Sequence, residues 1–195
     1  MALEIIIHRQ GMENIAPNVW KLNVDSNVYL LKLREWVVID TGPCSAKEEV
    51  RNAIRSLAPL NKVAKVVFTH LHFDHIGNFD LFPKADFFAS SGEIQALGQN
   101  KMFTILDASS AREFSPKLKP LKDMLGLKVI ATPGHSPGSV CLWYGKEEIL
   151  FSGDTLFAHG YGRVDFPFSD AEAMEKSLAL VRKMPYKILA AGHDY

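Results

Sequence analysis

Thr69-His70-Leu71-His72-Phe73-Asp74-His75-Ile76-Gly77 is the stretch from which the rest of the chain is best read. His70, His72, Asp74 and His75 fall within six consecutive positions. Packing alone does not explain that density, because each buried imidazole carries a polar nitrogen that needs a partner. The run just before it, residues 63–68 (V-A-K-V-V-F), is short, apolar and β-branched, the pattern of a buried strand. The histidines therefore stand where a strand ends and a loop begins. In an extended segment residues two apart point the same way, so His70, His72 and Asp74 face one point. His75 lies one step round, across the turn. Two neighbouring clusters of nitrogen and oxygen ligands follow, suited to zinc, iron or manganese. A lone histidine such as His8 has no such company and reads as surface or hydrogen-bonded core.

The chain's 195 residues can bury a substantial core, and residues 1–195 are expected to form one domain. Hydrophobic residues at 47% and charged ones at 23% describe an ordinary soluble globular protein. The 22 basic and 22 acidic side chains cancel, so no basic face recommends nucleic acid. Residues 1–10 lack the basic start and long apolar centre of a signal peptide. No stretch approaches the roughly 20 apolar residues of a membrane span. Cys44 and Cys141 stand far apart without C-x-x-C spacing and read as reduced thiols. A cytoplasmic location is the expectation.

Outward from the histidines, residues 5–7, 19–22, 28–33 and 36–39 alternate with turns at Pro17-Asn18, Asp25-Ser26-Asn27 and Arg34-Glu35. That is an antiparallel meander. Its last strand runs into Asp40-Thr41-Gly42-Pro43, where Asp40 serves either the turn or a metal ligand from behind. Ser45 and Glu48 have capping-box spacing ahead of a helix to residue 57, which Pro59 stops. A β-α-β passage thus leads into the histidine stretch. Residues 78–82 form a short helix, 85–89 a strand, and Ser90-Ser91-Gly92-Glu93 a helix start. Residues 98–124 read as an irregular or helical cover, whose Met102, Phe103 and Phe114 either contact a ligand or fill core.

The strand 127–131 delivers Thr132-Pro133-Gly134-His135-Ser136-Pro137-Gly138, in which prolines and glycines fix the backbone around one histidine. A hairpin follows, residues 140–144 and 148–151, and ends in Ser152-Gly153-Asp154-Thr155. The glycine-rich loop after it, residues 158–167, lacks a Walker pattern and is not a phosphate loop; a mutual pairing would be enough to account for its Arg163 and Asp165. Residues 169–184 are an amphipathic helix with Met174, Leu178 and Val181 inward. A last strand, 187–190, leads to Ala191-Gly192-His193-Asp194-Tyr195.

Five strand-end motifs in this order resemble the metallo-β-lactamase superfamily of metallohydrolases: Asp40-Thr41-Gly42, T-H-L-H-F-D-H-I-G from Thr69, P-G-H from Pro133, S-G-D-T from Ser152 and G-H-D from Gly192. The resemblance implies an α+β fold, a four-layer αβ/βα sandwich of two mixed sheets with helices outside. It implies one metal on His70, His72 and His135, a second on Asp74, His75 and His193, and Asp154 bridging, with Asp40 behind them. Two divalent ions, zinc foremost and iron or manganese as alternatives, would lower the pKa of a shared water towards about 7. The resulting bridging hydroxide would attack an ester or thioester carbonyl, with Asp74 and Asp154 as the catalytic carboxylates.

G-D-T-L-F followed by G-Y-G-R is similar to the glyoxalase II branch, which hydrolyses thioesters of 2-hydroxy acids. His159, Tyr161 and Arg163 become its candidate substrate contacts, and a small-molecule thioester or ester its partner. Asn78 stands where that branch often has a second glycine. The sequence carries no helical region after Tyr195 to grip glutathione, so another thiol carrier is the expectation. G-R-V-D-F also resembles persulfide dioxygenases, which would use His70, His135 and Asp154 on one iron. Lactonase, phosphodiesterase and a non-catalytic metal-binding module remain as further readings on the same scaffold.

Overall fold

In this computed structural model residues 11–195 are described. The expected strand at 5–7 and His8 lie outside them. Strands β1 (Glu13–Ala16), β2 (Val19–Val24), β3 (Ser26–Lys32) and β4 (Trp36–Ile39) pair antiparallel in sequence order. Helix α1 (Lys47–Arg55) carries the chain back, so that β5 (Val63–Val67) joins β4 in parallel. After α2 (Phe73–Ile76), β6 (Asp86–Ala89) adds in parallel; α3 (Ser91–Gln99), α4 (Lys101–Ile105) and α5 (Ala108–Glu113) then lead to β7 (Leu118–Pro120), which closes a seven-stranded sheet.

The second sheet holds β8 (Leu127–Ala131), β9 (Val140–Tyr144) and β10 (Ile149–Gly153) as an antiparallel set. Helix α6 (Ala171–Val181) then returns the chain so that β11 (Ile188–Ala191) pairs with β10 in parallel. Both sheets are mixed, as expected.

Side-chain alternation explains the layering, because successive strand residues face opposite sides. In β3, Tyr29 and Leu31 enter the core between the sheets, while Val28 and Leu30 enter a second core under α1. Val37 and Ile39 against Val38 in β4, and Val67 against Val66 in β5, repeat the split. In the other sheet Ile149 and Phe151 face the inter-sheet core and Leu150 faces Met174, Leu178 and Val181 of α6. Buried on both faces, these strands read as continuous apolar runs. Each such side chain contributes about 1.5–3 kcal/mol of burial. The result is helix, sheet, sheet, helix.

Several local expectations are corrected. Ser45 lies in a 3-10 turn (Cys44–Ala46), and α1 starts at N-cap Ala46 with no side-chain cap, so the Ser45–Glu48 pair forms no capping box. Strand β1 was not expected because Glu-Asn-Ile-Ala offers little apolar alternation. Strand β7 was hidden by Lys119 and Pro120; a proline is tolerated there because β7 is an edge. Within the cover at 98–124, Phe114 fills core against Phe68 and Phe79, whereas Met102 and Phe103 stay exposed. Among the described residues no helix is long and apolar enough to cross a membrane.

The ends of β4, β5, β10 and β11 open at one edge, where the sheets also meet. Val140 N–H donates to Thr69 O (3.0 Å), and Asn27 N–H to Gly192 O (2.6 Å). Tyr29 OH donates across the core to Ala191 O (2.6 Å). This tie fixes the first half's histidines relative to those of the second.

Candidate metal centre

Asp40 leaves β4 in the left-handed region (φ 53°), a conformation aspartate tolerates better than bulkier residues. Its carboxylate turns back into the protein. Oδ1 accepts from Thr69 N–H (2.8 Å), and Oδ2 accepts from Thr69 Oγ1 (2.7 Å) and meets His75 Nδ1 (2.9 Å). One buried carboxylate thus fixes both the start of the histidine stretch and the ring of its last histidine. Asn78 ties down the other end, its Nδ2 donating to Thr41 O (2.7 Å) and Pro43 O (2.8 Å). The asparagine that departs from the branch pattern is therefore a buried strut.

The other loops converge on the same point. Gly134 (φ 145°) lets the turn before His135 lie against Met174 of α6, where a Cβ would clash. His193 is held by Nδ1 against Asp25 O (2.9 Å), from the β2–β3 turn. In that turn Ser26 donates to Asp74 O (2.5 Å), and Asn27 donates to Ala191 O (2.9 Å). A Cβ on Gly192 would strike Asp154 Oδ1, so the carboxylate occupies the space that glycine leaves.

The histidine rings interlock, His70 lying 4.1 Å from His75, 4.6 Å from His72 and 4.8 Å from His135 between centroids. Three sets of ligand atoms each lie within 4.8 Å of one another: His70, His72, His135; His70, His75, Asp154; and Asp74, His75, His193. Because the sets share members, the donors form one continuous cluster. Nδ1 of His135 is occupied by Arg163 O (2.7 Å), as that of His75 is by Asp40. The Nε2 atoms of His70, His75 and His135 and Oδ1 of Asp154 are buried with no hydrogen-bond partner.

Four orphaned polar atoms at one place are costly unless something satisfies them, since each buried unmatched group costs about 1–3 kcal/mol. All are donors that a divalent cation accepts, and occupied Nδ1 atoms are the usual support of metal-ligating imidazoles. The residues fit one or more divalent metal ions.

Electrostatics divides the cluster. Burial lowers the pKa of His70 strongly, helped by its imidazole neighbours, and pushes His72 down to about 3. Burial lowers His135 too. For His75 burial acts the same way, but Asp74, Asp154 and Asp40 outweigh it and raise the pKa well above the usual value. His193 is raised as well, burial being overcome by Asp74 and Asp154. Burial raises Asp74 and Asp154, and the imidazoles around them pull both below the ordinary carboxylate range.

The seven residues expected as ligands all meet here, though the chain separates the first from the last by more than a hundred positions. Tyr161 and Arg163 line the cavity above them. His159 does not. Phe157 N–H closes a tight turn on Gly160 O (2.9 Å), which leaves residues 158–160 exposed and outside the cavity wall.

Sequence reasoning missed Glu93. Its buried carboxylate accepts from Leu71 N–H (2.8 Å), between the first two histidines, and from Gly138 N–H (2.9 Å) and Ser136 Oγ (2.6 Å), just past His135. Also unforeseen were Asp25, Ser26 and Asn27, which looked like a plain turn.

The comparisons agree with this geometry. The family model of the metallo-beta-lactamase superfamily matches residues 23–193. A probable metallo-hydrolase of Methanocaldococcus jannaschii is 29% identical over 184 residues, 85% of each chain. A hydroxyacylglutathione hydrolase of Rhodospirillum rubrum is 30% identical over 181 residues, 88% of this chain but 63% of that longer one. A protein solved in a di-iron-bound form is similar with TM-score 0.70 and 26% identity, over 94% of this chain and 92% of its own. A family match spanning all but the first 22 and last two residues, on a sandwich whose strand ends bring these histidines and aspartates together, leaves one assignment: the chain belongs to the metallo-beta-lactamase superfamily.

Proposed function

We propose that this chain is a metal-dependent hydrolase that cleaves the thioester or carboxylic ester of a small molecule, in the manner of the glyoxalase II branch. His70, His72 and His135 would hold one divalent cation, Asp74, His75 and His193 a second, and Asp154 would touch both. Zinc suits this nitrogen and oxygen set, and iron or manganese would also be accepted. The carrying observation is the row of four buried, unpartnered donor atoms shared between three overlapping ligand sets. The hydroxyacylglutathione hydrolase similarity supports the thioester reading. Such a cation pair supplies Lewis acidity and an activated water.

The protein's own groups have separable tasks. Neutral His70, His72 and His135 present lone pairs at neutral pH. Asp40 holds His75, and the Arg163 carbonyl holds His135, in fixed ring orientation. Asp74, on the cavity wall, stays ionised, its Oδ2 3.2 Å from His193 Nε2, and a carboxylate there could accept a proton or a hydrogen bond from water. A one-iron sulfur dioxygenase would need only His70, His135 and Asp154, leaving the Asp74–His75–His193 set without a task. Metal analysis with a substrate panel tests the proposal. Two zinc or manganese ions per chain with thioester or ester hydrolysis is the expected result. One iron with oxygen uptake on persulfides, or turnover confined to lactones or phosphodiesters, would overturn it, and so would tight metal binding without turnover.

The pKa pattern adds a pH prediction. A group whose pKa is raised keeps its proton to higher pH, and a cation must displace that proton. Binding at Asp74, His75 and His193 is therefore proton-coupled and weakens as pH falls from 8 towards 5. His70, His72 and His135 are shifted the other way, so their site takes up protons at lower pH. Equilibrium dialysis at stepped pH should show one equivalent leaving before the other. Simultaneous loss of both would contradict the assignment.

A further inference from the structure

The donor cluster forms only the floor of the cavity. Phe73, Leu106, Phe157, Tyr161, Phe166 and Tyr195 make most of its wall, around about 370 Å³. That volume is near the lower end of small-molecule sites, about 300–1,000 Å³. Seven large apolar side chains are exposed among the described residues, and three of them, Phe73, Tyr161 and Tyr195, stand at this one mouth. Such concentration marks a binding surface rather than scattered exposure. Tyr195 stacks on His193 (4.9 Å, 22°) and meets Phe157 edge-on (5.5 Å, 78°), so the wall offers both faces and edges of rings.

The wall's electrostatics are equally one-sided. Imidazoles aside, Arg163 is the one cationic side chain among the described residues of the lining. It is already engaged. Its Nε and NH2 donate to the two carboxylate oxygens of Asp165 (2.9 and 2.7 Å), and its guanidinium lies over Phe166, 4.8 Å from the ring centre. The bidentate partner takes up the Nε edge of the planar fork, one of the edges that would otherwise receive a substrate carboxylate.

We infer that the site selects an uncharged, apolar and planar acyl group, an aryl or arylalkyl ester or thioester, and that Asp165 enforces this by occupying Arg163. The inference rests on the hydrolase reading and names its substrate class. An anionic acyl group would find the wall's arginine already paired with Asp165, while an aromatic one would find rings. Discrimination comes from the unfavourable match as much as from the favourable one.

The test uses metal-loaded protein and thioesters of one uncharged thiol carrying phenylacetyl or succinyl. Expected is a kcat/KM ratio of about 100 or more in favour of phenylacetyl. Asp165→Asn should shrink that ratio by about 10-fold, chiefly by raising kcat/KM for succinyl as Arg163 is released. Tyr161→Ala should raise KM for phenylacetyl far more than it lowers kcat. A ratio near one, or a ratio indifferent to Asp165→Asn, overturns the inference even if hydrolysis is brisk. Calorimetry with the phenethyl thioether of the same thiol keeps the two questions apart. Binding that Tyr161→Ala weakens upholds the apolar site although no thioester be hydrolysed, and absence of binding overturns it.

Discussion

Asp154→Ala is expected to empty both metal positions and to lower hydrolysis by more than about 100-fold. Even outer partners of metal ligands cost about 10–100-fold when removed, and Asp154 stands closer than that. Its Oδ1 lies 3.2 Å from His75 Nε2, and its Oδ2 lies 3.4 Å from His135 Nε2 and 3.5 Å from His193 Nε2. Among the described residues it is the one carboxylate that reaches imidazoles of both proposed sets. Asp154→Asn separates charge from shape: the amide fills the same space beside Gly192 but cannot neutralise two cations. Metal content measured on both variants, with a thermal melt to show that each folds, decides the matter. Normal metal content in Asp154→Ala would remove the shared carboxylate from the account. Loss of one equivalent only would confine Asp154 to one ion.

The convergence of these donor side chains was unusually legible in the sequence because they stand at strand ends, where short motifs of rigid composition mark them. His70, His72, Asp74 and His75 sit within one turn of chain, and His135, Asp154 and His193 each follow a strand beside a glycine. The strands themselves were equally legible from apolar runs such as Val28 to Leu31, while their layering into two sheets came only from the resemblance. What stayed hidden were the supports, whose local pattern has an ordinary explanation. Asp25-Ser26-Asn27 has the composition of any tight turn, yet it holds His193, Asp74 and the end of β11 through contacts across the whole chain. Asn78 looked like a departure from a pattern, and only its two backbone acceptors reveal a strut. His159 lies outside the cavity lining for the converse reason: nearness to Asp154 in sequence says nothing about which way a four-residue turn faces.

Glu93 is the sharpest case, and its removal should be the most damaging change away from the ligands themselves. Ser90-x-x-Glu93 has the form of a capping box. Ser90 plays its half, its Oγ accepting from Glu93 N–H (3.1 Å) at the start of α3. The Glu93 side chain turns away and clamps the loop carrying His70 and His72 to the loop carrying His135. Burial raises its pKa, and the hydrogen bonds from Ser136, Gly138 and Leu71 pull in the opposite direction. Glu93→Ala would leave two buried N–H groups and one hydroxyl without this acceptor. At about 1–3 kcal/mol each, partly relieved by Ser139 Oγ beside Ser136, the loss is about 3–6 kcal/mol. That is a large share of the roughly 5–15 kcal/mol of a typical domain. Glu93→Gln keeps the shape. With its oxygen towards Ser136 and Gly138, the amide nitrogen must face the Leu71 N–H, donor against donor, so one contact is lost rather than three. The expected order of denaturant midpoints is therefore wild type, then Gln, then Ala. Metal affinity of Glu93→Gln should fall by about 10–100-fold, as for other groups that orient ligands from behind. A merely structural role would lower the midpoint and leave the affinity of the folded protein unchanged. Glu93→Gln with the wild-type midpoint and affinity would mean that the ligand loops keep their spacing without the clamp.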